Sequence, residues 1–255
     1  MEVLYLIIFF ILGSLFGSFF TVIGLRLPKN ENFTTTRSHC DSCGHELKLY
    51  EMVPILSYLL QRGKCRYCKE KIDILSTIIE LFTGVLFAIS YYSFGFSYEL
   101  LIGLGIISLL MIIIVTDLTY LIIPDEVLIF FSIYIAIFLF LRLGFVPGLI
   151  KISSGIFLFS LMYVIMLIGN KILKKECLGG GDIKMMFVFG LILDPLLGTL
   201  TIFLGSFIAL PISLILLYKN KEKVIPFGPF LLIALAIIYY TKLTPEIVVD
   251  FLTLR

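Results

Sequence analysis

"LLIGLGIISLLMIIIVTDLTYLIIPDE", residues 100–126, decides the fold. Up to Thr116 it carries no charge, and with the residues before it the run reaches the roughly 20 residues that a helix needs to cross a bilayer. Asp117 then breaks the apolar pattern, and a second long apolar run begins after Pro124. A proline can open that second helix, because its missing N–H falls among the unsatisfied donors of a first turn. Two spanning helices joined by a short connection, with one acid at the end of the first, is the unit from which the rest of the chain is read.

The same texture recurs along all 255 residues: 60% are hydrophobic and only 15% charged, with a mean hydropathy of +1.09. A soluble domain lies nearer about 45–50% apolar and 25% charged. The expectation is an all-α polytopic membrane protein whose main partner is the lipid bilayer. A net charge of +2 gives no reason to invoke nucleic acid. Eight apolar spans are read, at roughly 3–25, 74–92, 98–116, 126–141, 149–169, 184–197, 198–218 and 225–241. The sixth is short, and "DPLLG" at 194–198 predicts a tight turn before the seventh. The resulting segments are a first membrane helix (1–25), a polar cytoplasmic domain (26–73), a transmembrane body (74–241) and an extracytoplasmic tail (242–255), in which "PEIVVDFL" can form a short surface helix. "MEVLYLIIFF" has no basic residue before its apolar run, unlike a cleaved secretory signal, so the first span is expected to be retained.

Eight spans place both termini on one side. Alternate connections (26–73, 117–125, 170–183 and 219–224, with Lys184 at a boundary) hold every Lys and Arg except Arg142, Lys151, Lys242 and Arg255. The positive-inside rule makes that set cytoplasmic and both termini external. Asp117 then ends a span running inward, and Asp182 begins one running outward, so the two acids share a depth at the cytoplasmic edge. A carboxylate in a membrane helix costs about 2.5–3.5 kcal/mol at the bilayer centre, which makes each an object of suspicion. Asp182 follows "GGG" at 179–181. Gly179 and Gly181 permit positive φ and close backbone approach, enough to set the acid beside another helix. Alone, Asp182 reads as a helix N-cap and Asp117 as a helix end meeting water. As a pair they can share one proton, with one member taking a proton from water while the other polarises a peptide carbonyl. That is aspartic protease chemistry, and it calls for no metal or cofactor.

Residues 26–73 hold four of the five cysteines, "CDSC" at 40–43 and "CRYC" at 65–68. Two C-x2-C pairs suit tetrahedral zinc. Disulfides are disfavoured by a reducing cytoplasm, and a loop this small needs a staple. His39 and His45 flank the first pair, but four cysteines already complete a shell. Cys177 reads as a packing residue. Asp125 and Glu126 sit in a first turn, where acids complement the helix dipole. Asp194, before a proline at an outside turn, reads as structural, and Glu99 caps or flanks the third span. Glu80, inside the second span, is either paired with a cation or protonated. Lys184, two residues past Asp182, either favours ionisation of that acid or anchors the helix at the headgroups.

"GGGDIK" (179–184) with "TDLTYLIIPD" (116–125) resembles the type 4 prepilin leader peptidases, membrane aspartyl proteases bearing a Gly-x-Gly-Asp motif. "GSFFTVIGLRLP" (17–28), "SHCDSCGHEL" (38–47), "PILSYLLQRGKCRYC" (54–68) and "IPFGPFL" (225–231) agree in the same order. The resemblance implies an enzyme of the bacterial cytoplasmic membrane, serving type IV pili or protein secretion. Such an enzyme removes the short basic leader of prepilins or pseudopilins at the cytoplasmic face, after a glycine. It also implies N-methylation of the new N-terminus from S-adenosylmethionine. Asp117 and Asp182 match the family's catalytic pair, and Cys40, Cys43, Cys65 and Cys68 its structural zinc ligands. Gly179, Gly181 and Lys184 are expected at the substrate. Thr21, Cys40-Asp41 and Leu75-Ser76-Thr77 depart from the family pattern without touching the acid pair, and Glu80 keeps its family position. Two other classes remain to be separated: a carrier using Asp117 and Asp182 as a proton relay, and a non-enzymatic scaffold for pilus assembly. No inverted repeat favours the carrier.

Overall fold

The chain forms helices wherever the sequence runs apolar, since a backbone in lipid must satisfy its own N–H and C=O groups. The computed structural model describes residues 1–33, 37–40, 42–174, 178–219 and 226–253. Ten α-helices occur among them: α1 (Glu2–Arg26), α2 (Leu56–Leu60), α3 (Leu75–Phe94), α4 (Tyr98–Tyr120), α5 (Asp125–Leu143), α6 (Phe145–Leu173), α7 (Gly180–Ile192), α8 (Pro195–Lys219), α9 (Gly228–Tyr240) and α10 (Pro245–Leu252). Each of the eight expected spans is helical. Six of the helices are long and apolar enough to cross a membrane. The exceptions are α7 and α9, each of 13 residues. At about 1.5 Å per residue they rise roughly 20 Å, short of the roughly 30 Å hydrocarbon core. The count of eight full crossings is therefore approximate. The turn expected at "DPLLG" is present, α7 ending at Ile192 and α8 starting at Pro195.

The chain divides into two compact units, residues 1–96 and 97–255. In the first, α1 packs lengthwise on α3. Small residues permit it. A Cβ built on Gly13 would lie 2.6 Å from the Thr83 carbonyl oxygen, and one on Gly84 2.5 Å from Ser14 Oγ. With lipid as apolar as leucine, such close backbone packing is the main force that joins membrane helices. The hydroxyls along this seam bond to their own helix: Thr83 donates to the Ile79 carbonyl and Ser14 to that of Phe10. The polar loop of this unit holds the 3-10 turns Leu27–Lys29 and Leu49–Glu51, α2, and two isolated antiparallel bridges, His39 with Glu46 and Lys64 with Lys71.

In the second unit α4 is the most buried span, 72% of its apolar window being covered, and it touches α5 and α9. Ser97 caps it, its Oγ accepting from Leu100 N–H at 3.2 Å. It ends at Leu121, whose φ of +56° turns the chain out of the helix. Helix α7 lies against α6, where Gly190 and Gly155 meet so closely that a Cβ on the former would stand 2.5 Å from Cα of the latter. Ion pairs tie two further acids down: Lys151 Nζ to Asp194 at 2.8 Å, and Arg142 to Glu99.

Candidate active site and metal centre

Asp117 lies one turn before the end of α4, which runs on to Tyr120. Asp182 is the third residue of α7, with Gly179 in the N-cap position and no side-chain cap. It is therefore a first-turn acid, not the N-cap. Its Oδ2 folds back toward the helix start, so that a Cβ on Gly179 would lie 3.2 Å from it. Both carboxylates are buried, and the charge of Asp117 bears directly on Asp182. Residues 65 positions apart in sequence are thus electrostatic neighbours. Asp117 Oδ2 and Asp182 Oδ1 are both inaccessible and lack a hydrogen-bond partner among the described residues. Leaving such an atom unpaired costs about 1–3 kcal/mol, and native structures keep such atoms where water or substrate is to be held.

Three residues outside the motif build the corner between them. Gly228 opens α9, and its backbone N–H points at the Asp117 carboxylate. A Cβ there would meet Ile123 Cδ1 at 3.0 Å and Asp117 Oδ2 at 3.2 Å. A Cβ on Gly181 would lie 2.6 Å from Ile123 Cβ. Ile123, in the α4–α5 connection, is therefore wedged between the two glycines. Pro229 in the first turn of α9 helps that helix begin at the acid. Nothing in "IPFGPFL" or in "TDLTYLIIPD" gives Gly228 or Ile123 a role on sequence grounds. Only the "G-P" pair, a helix opening, could have hinted at one.

The glycines act by close approach alone. Gly179 has φ of −69°, and neither it nor Gly181 is among the residues of positive φ. Lys184 does not face Asp182, since two helical positions place side chains about 200° apart. Its Nζ instead bonds both oxygens of Asp125, at 2.7 and 2.8 Å, joining α7 to the first turn of α5. Beside that pair a cavity of about 410 Å³ is lined by Leu128, Ile129, Ser132, Phe159 and Phe187. Cys177 lies outside the described residues.

The candidate metal centre belongs to the first unit. Sγ atoms of Cys40, Cys43, Cys65 and Cys68 all lie within 4.8 Å of one another, so the cluster could hold a metal ion. The two halves repeat one another. Cys40 N–H donates to the His45 carbonyl at 2.9 Å and Gly44 N–H to the Cys40 carbonyl at 2.8 Å. Cys65 N–H donates to the Glu70 carbonyl at 2.9 Å and Lys69 N–H to the Cys65 carbonyl at 3.0 Å. Gly44 and Lys69 both take positive φ, at +69° and +63°, which turns each pair back on itself. N–H groups of Cys68 and Tyr67 aimed at the Cys65 sulfur lower its thiol to about 7. Although the Glu70 N–H faces Cys68, burial and its thiol neighbours push that group up to about 12. Four sulfurs cannot all carry charge without a cation among them, and a dication removes the conflict. The histidines stay outside the shell: His39 Nδ1 sits 3.2 Å from the Arg37 carbonyl, and the His45 ring lies 3.5 Å from that of Tyr67.

Glu80, the acid of α3 read as either paired with a cation or protonated, has no ion pair among the described residues. It accepts from Ile55 N–H at 2.8 Å and from Ser76 Oγ at 3.3 Å.

Residues 11–94 match the family described as bacterial peptidase A24 N-terminal domain, and residues 104–214 match the type IV leader peptidase family. Among curated proteins, the chain is 37% identical to a prepilin leader peptidase/N-methyltransferase of Bacillus subtilis, over 73% of each chain. It is 32% identical to one of Vibrio cholerae, covering 94% of this chain and 98% of that one. The corresponding protein of Pseudomonas aeruginosa is 29% identical over 88% of this chain and 86% of its own. No solved structure matches the chain.

Proposed function

This chain belongs to the type IV leader peptidase family, and from that premise we propose that it removes the short basic leader of type IV prepilins or pseudopilins, with Asp117 and Asp182 as the catalytic pair. The observation that carries the reading is the burial of these two acids within electrostatic reach of each other, each with an oxygen that none of the described residues satisfies. Two like charges so close cannot both be kept, so the pair retains one proton. The ionised member draws a proton from a water held between them. The protonated member donates to the scissile carbonyl, and as the water oxygen adds to that carbon the negative charge gathers on the carbonyl oxygen beside the donor. Return of a proton to the leaving amine restores the pair. Titration then belongs to the pair as a whole. Gly179 and Gly181 keep side chains away from the approach to Asp182, and Lys184 with Asp125 holds α7 in place.

The four cysteines support structural zinc. Thiolates about 2.3 Å from a zinc ion at tetrahedral corners stand about 3.8 Å apart, and Cys40 Sγ and Cys68 Sγ are separated by 3.8 Å. Similarity to proteins named as N-methyltransferases supports a second step, in which S-adenosylmethionine would supply a methyl group to the new N-terminus. We place the enzyme in the bacterial cytoplasmic membrane, with residues 26–73 and the acid pair on the cytoplasmic side and both termini outside.

The test is cleavage of a purified prepilin by the reconstituted chain. Asp117→Asn and Asp182→Asn should each slow leader removal by about 10²–10⁴-fold or more while the protein keeps its metal content. Normal processing by both variants would refute the pair. A proton-relay carrier would show no cleavage by the unaltered chain either, and a scaffold would behave the same way.

A further inference from the structure

The polar loop of the first unit carries a leucine face that points away from its own core. In α2, Leu56, Leu59 and Leu60 occupy positions i, i+3 and i+4, one side of a helical turn, and they are 57%, 62% and 77% exposed. The side chains turned inward are Ser57 and Tyr58, Tyr58 closing over Gly63. This inverts the pattern of a soluble loop. Leu49, 84% exposed, adds to the same short stretch.

A buried bond fixes the level of this face. Glu80 is the sixth residue of α3, about one and a half turns inside its start, and side chains on a helix lean toward its N-terminus. Its carboxylate holds Ile55 N–H at 2.8 Å and Ser76 Oγ at 3.3 Å. Ile55 immediately precedes α2 and is held at φ of +63°, a conformation that a β-branched residue adopts only when its surroundings impose it. The start of α2 is therefore fastened to the first turn of a membrane span, at the depth where headgroups meet acyl chains. The surrounding charge suits the same place. Lys48 precedes the stretch, and Arg62, Lys64 and Arg66 follow it, with Arg66 lying 5.2 Å from the centre of the Tyr50 ring. None of these cations is in an ion pair among the described residues.

We propose that α2 is an interfacial foot: Leu56, Leu59 and Leu60 insert into the boundary of an anionic bilayer, the neighbouring cations bind its phosphates, and Glu80 sets the depth. Apolar side chains beside Lys and Arg are the signature of segments that lie in the membrane surface, and each cation near an anionic leaflet adds to the attraction. Glu80 here is a positioning residue, acting through the Ile55 backbone.

The chain has no tryptophan, so Leu60→Trp introduces a single indole. The full chain, reconstituted into phosphatidylglycerol-containing vesicles, should show blue-shifted emission that lipids brominated near the headgroup quench more strongly than lipids brominated at the chain ends. Phe82→Trp, exposed on α3, reports reconstitution by its own quenching. In the Leu60→Trp background, Glu80→Gln should weaken the shallow quenching, whereas Glu80→Asp should retain part of it. Red-shifted, unquenched emission would place the face in water. Blue-shifted emission indifferent to brominated lipid would mean that a protein surface covers it. Either result overturns the proposal.

Discussion

Gly181 shows how finely single residues set the acid pair. A Cβ there would lie 2.6 Å from Ile123 Cβ, an atom at the root of a side chain that no rotamer can move away. One on Gly180 meets nothing within 4 Å. Gly181→Ala should therefore push α7 off Ile123, costing about 1–3 kcal/mol by overpacking and lowering kcat for leader removal. Gly180→Ala should cleave at close to the normal rate. The pair of variants, assayed on one prepilin, separates close approach from backbone freedom. If Gly180→Ala is the more damaging, the α7 start is used differently from its geometry here. Gly228 belongs to the same corner, presenting its N–H to Asp117 with no side chain between.

Among the elements, the two cysteine turns and the short helix α7 differ in what holds them. Each turn has two backbone bonds and one residue of positive φ, too little to order a loop unaided; a metal ion joining the four sulfurs would supply the rest. Chelation, or Cys65→Ser, should release stoichiometric zinc and expose residues 37–73 to protease, while α1 and α3, joined by their glycine seam, stay protected. Mass spectrometry of the digest reads both. Protection of the loop after complete metal loss would show that the metal is dispensable. Helix α7 needs no metal, because α6 and α5 clasp it. Gly155 lets α6 approach, and the exposed Lys184–Asp125 pair adds at most about 1 kcal/mol. That value is small enough for Lys184 to matter more for the angle of α7 than for its stability.

At the scale of the whole molecule, the sidedness of the charges is the governing fact. With Lys and Arg concentrated in alternate connections, an impermeant thiol reagent should label Tyr92→Cys in intact cells. Leu121→Cys, next to the acid pair, should be labelled only after the cytoplasmic membrane is opened. Labelling of Leu121→Cys from outside would reverse the orientation and move the proposed cleavage to the wrong face for a cytoplasmic leader. The two shorter helices, α7 and α9, both begin at this site, Gly179 and Gly228 flanking their first turns. The unpaired carboxylate oxygens lie buried against these helix starts, and the proposed cleavage requires water and substrate to reach them there.

The amino-acid order by itself determined the helices, the membrane setting, the cysteine cluster and which two acids to set side by side. Each of these follows from local composition or short spacing: apolar runs must close their own hydrogen bonds, and paired thiols need only a tight turn. Packing alone decided the rest. No pattern along the chain ties Glu80 to Ile55, turns Lys184 from Asp182 to Asp125, or wedges Ile123 between Gly181 and Gly228, because those partners come from separate elements. Their meeting depends on which helices pack together, and that is settled by shape and close approach across the whole assembly of helices.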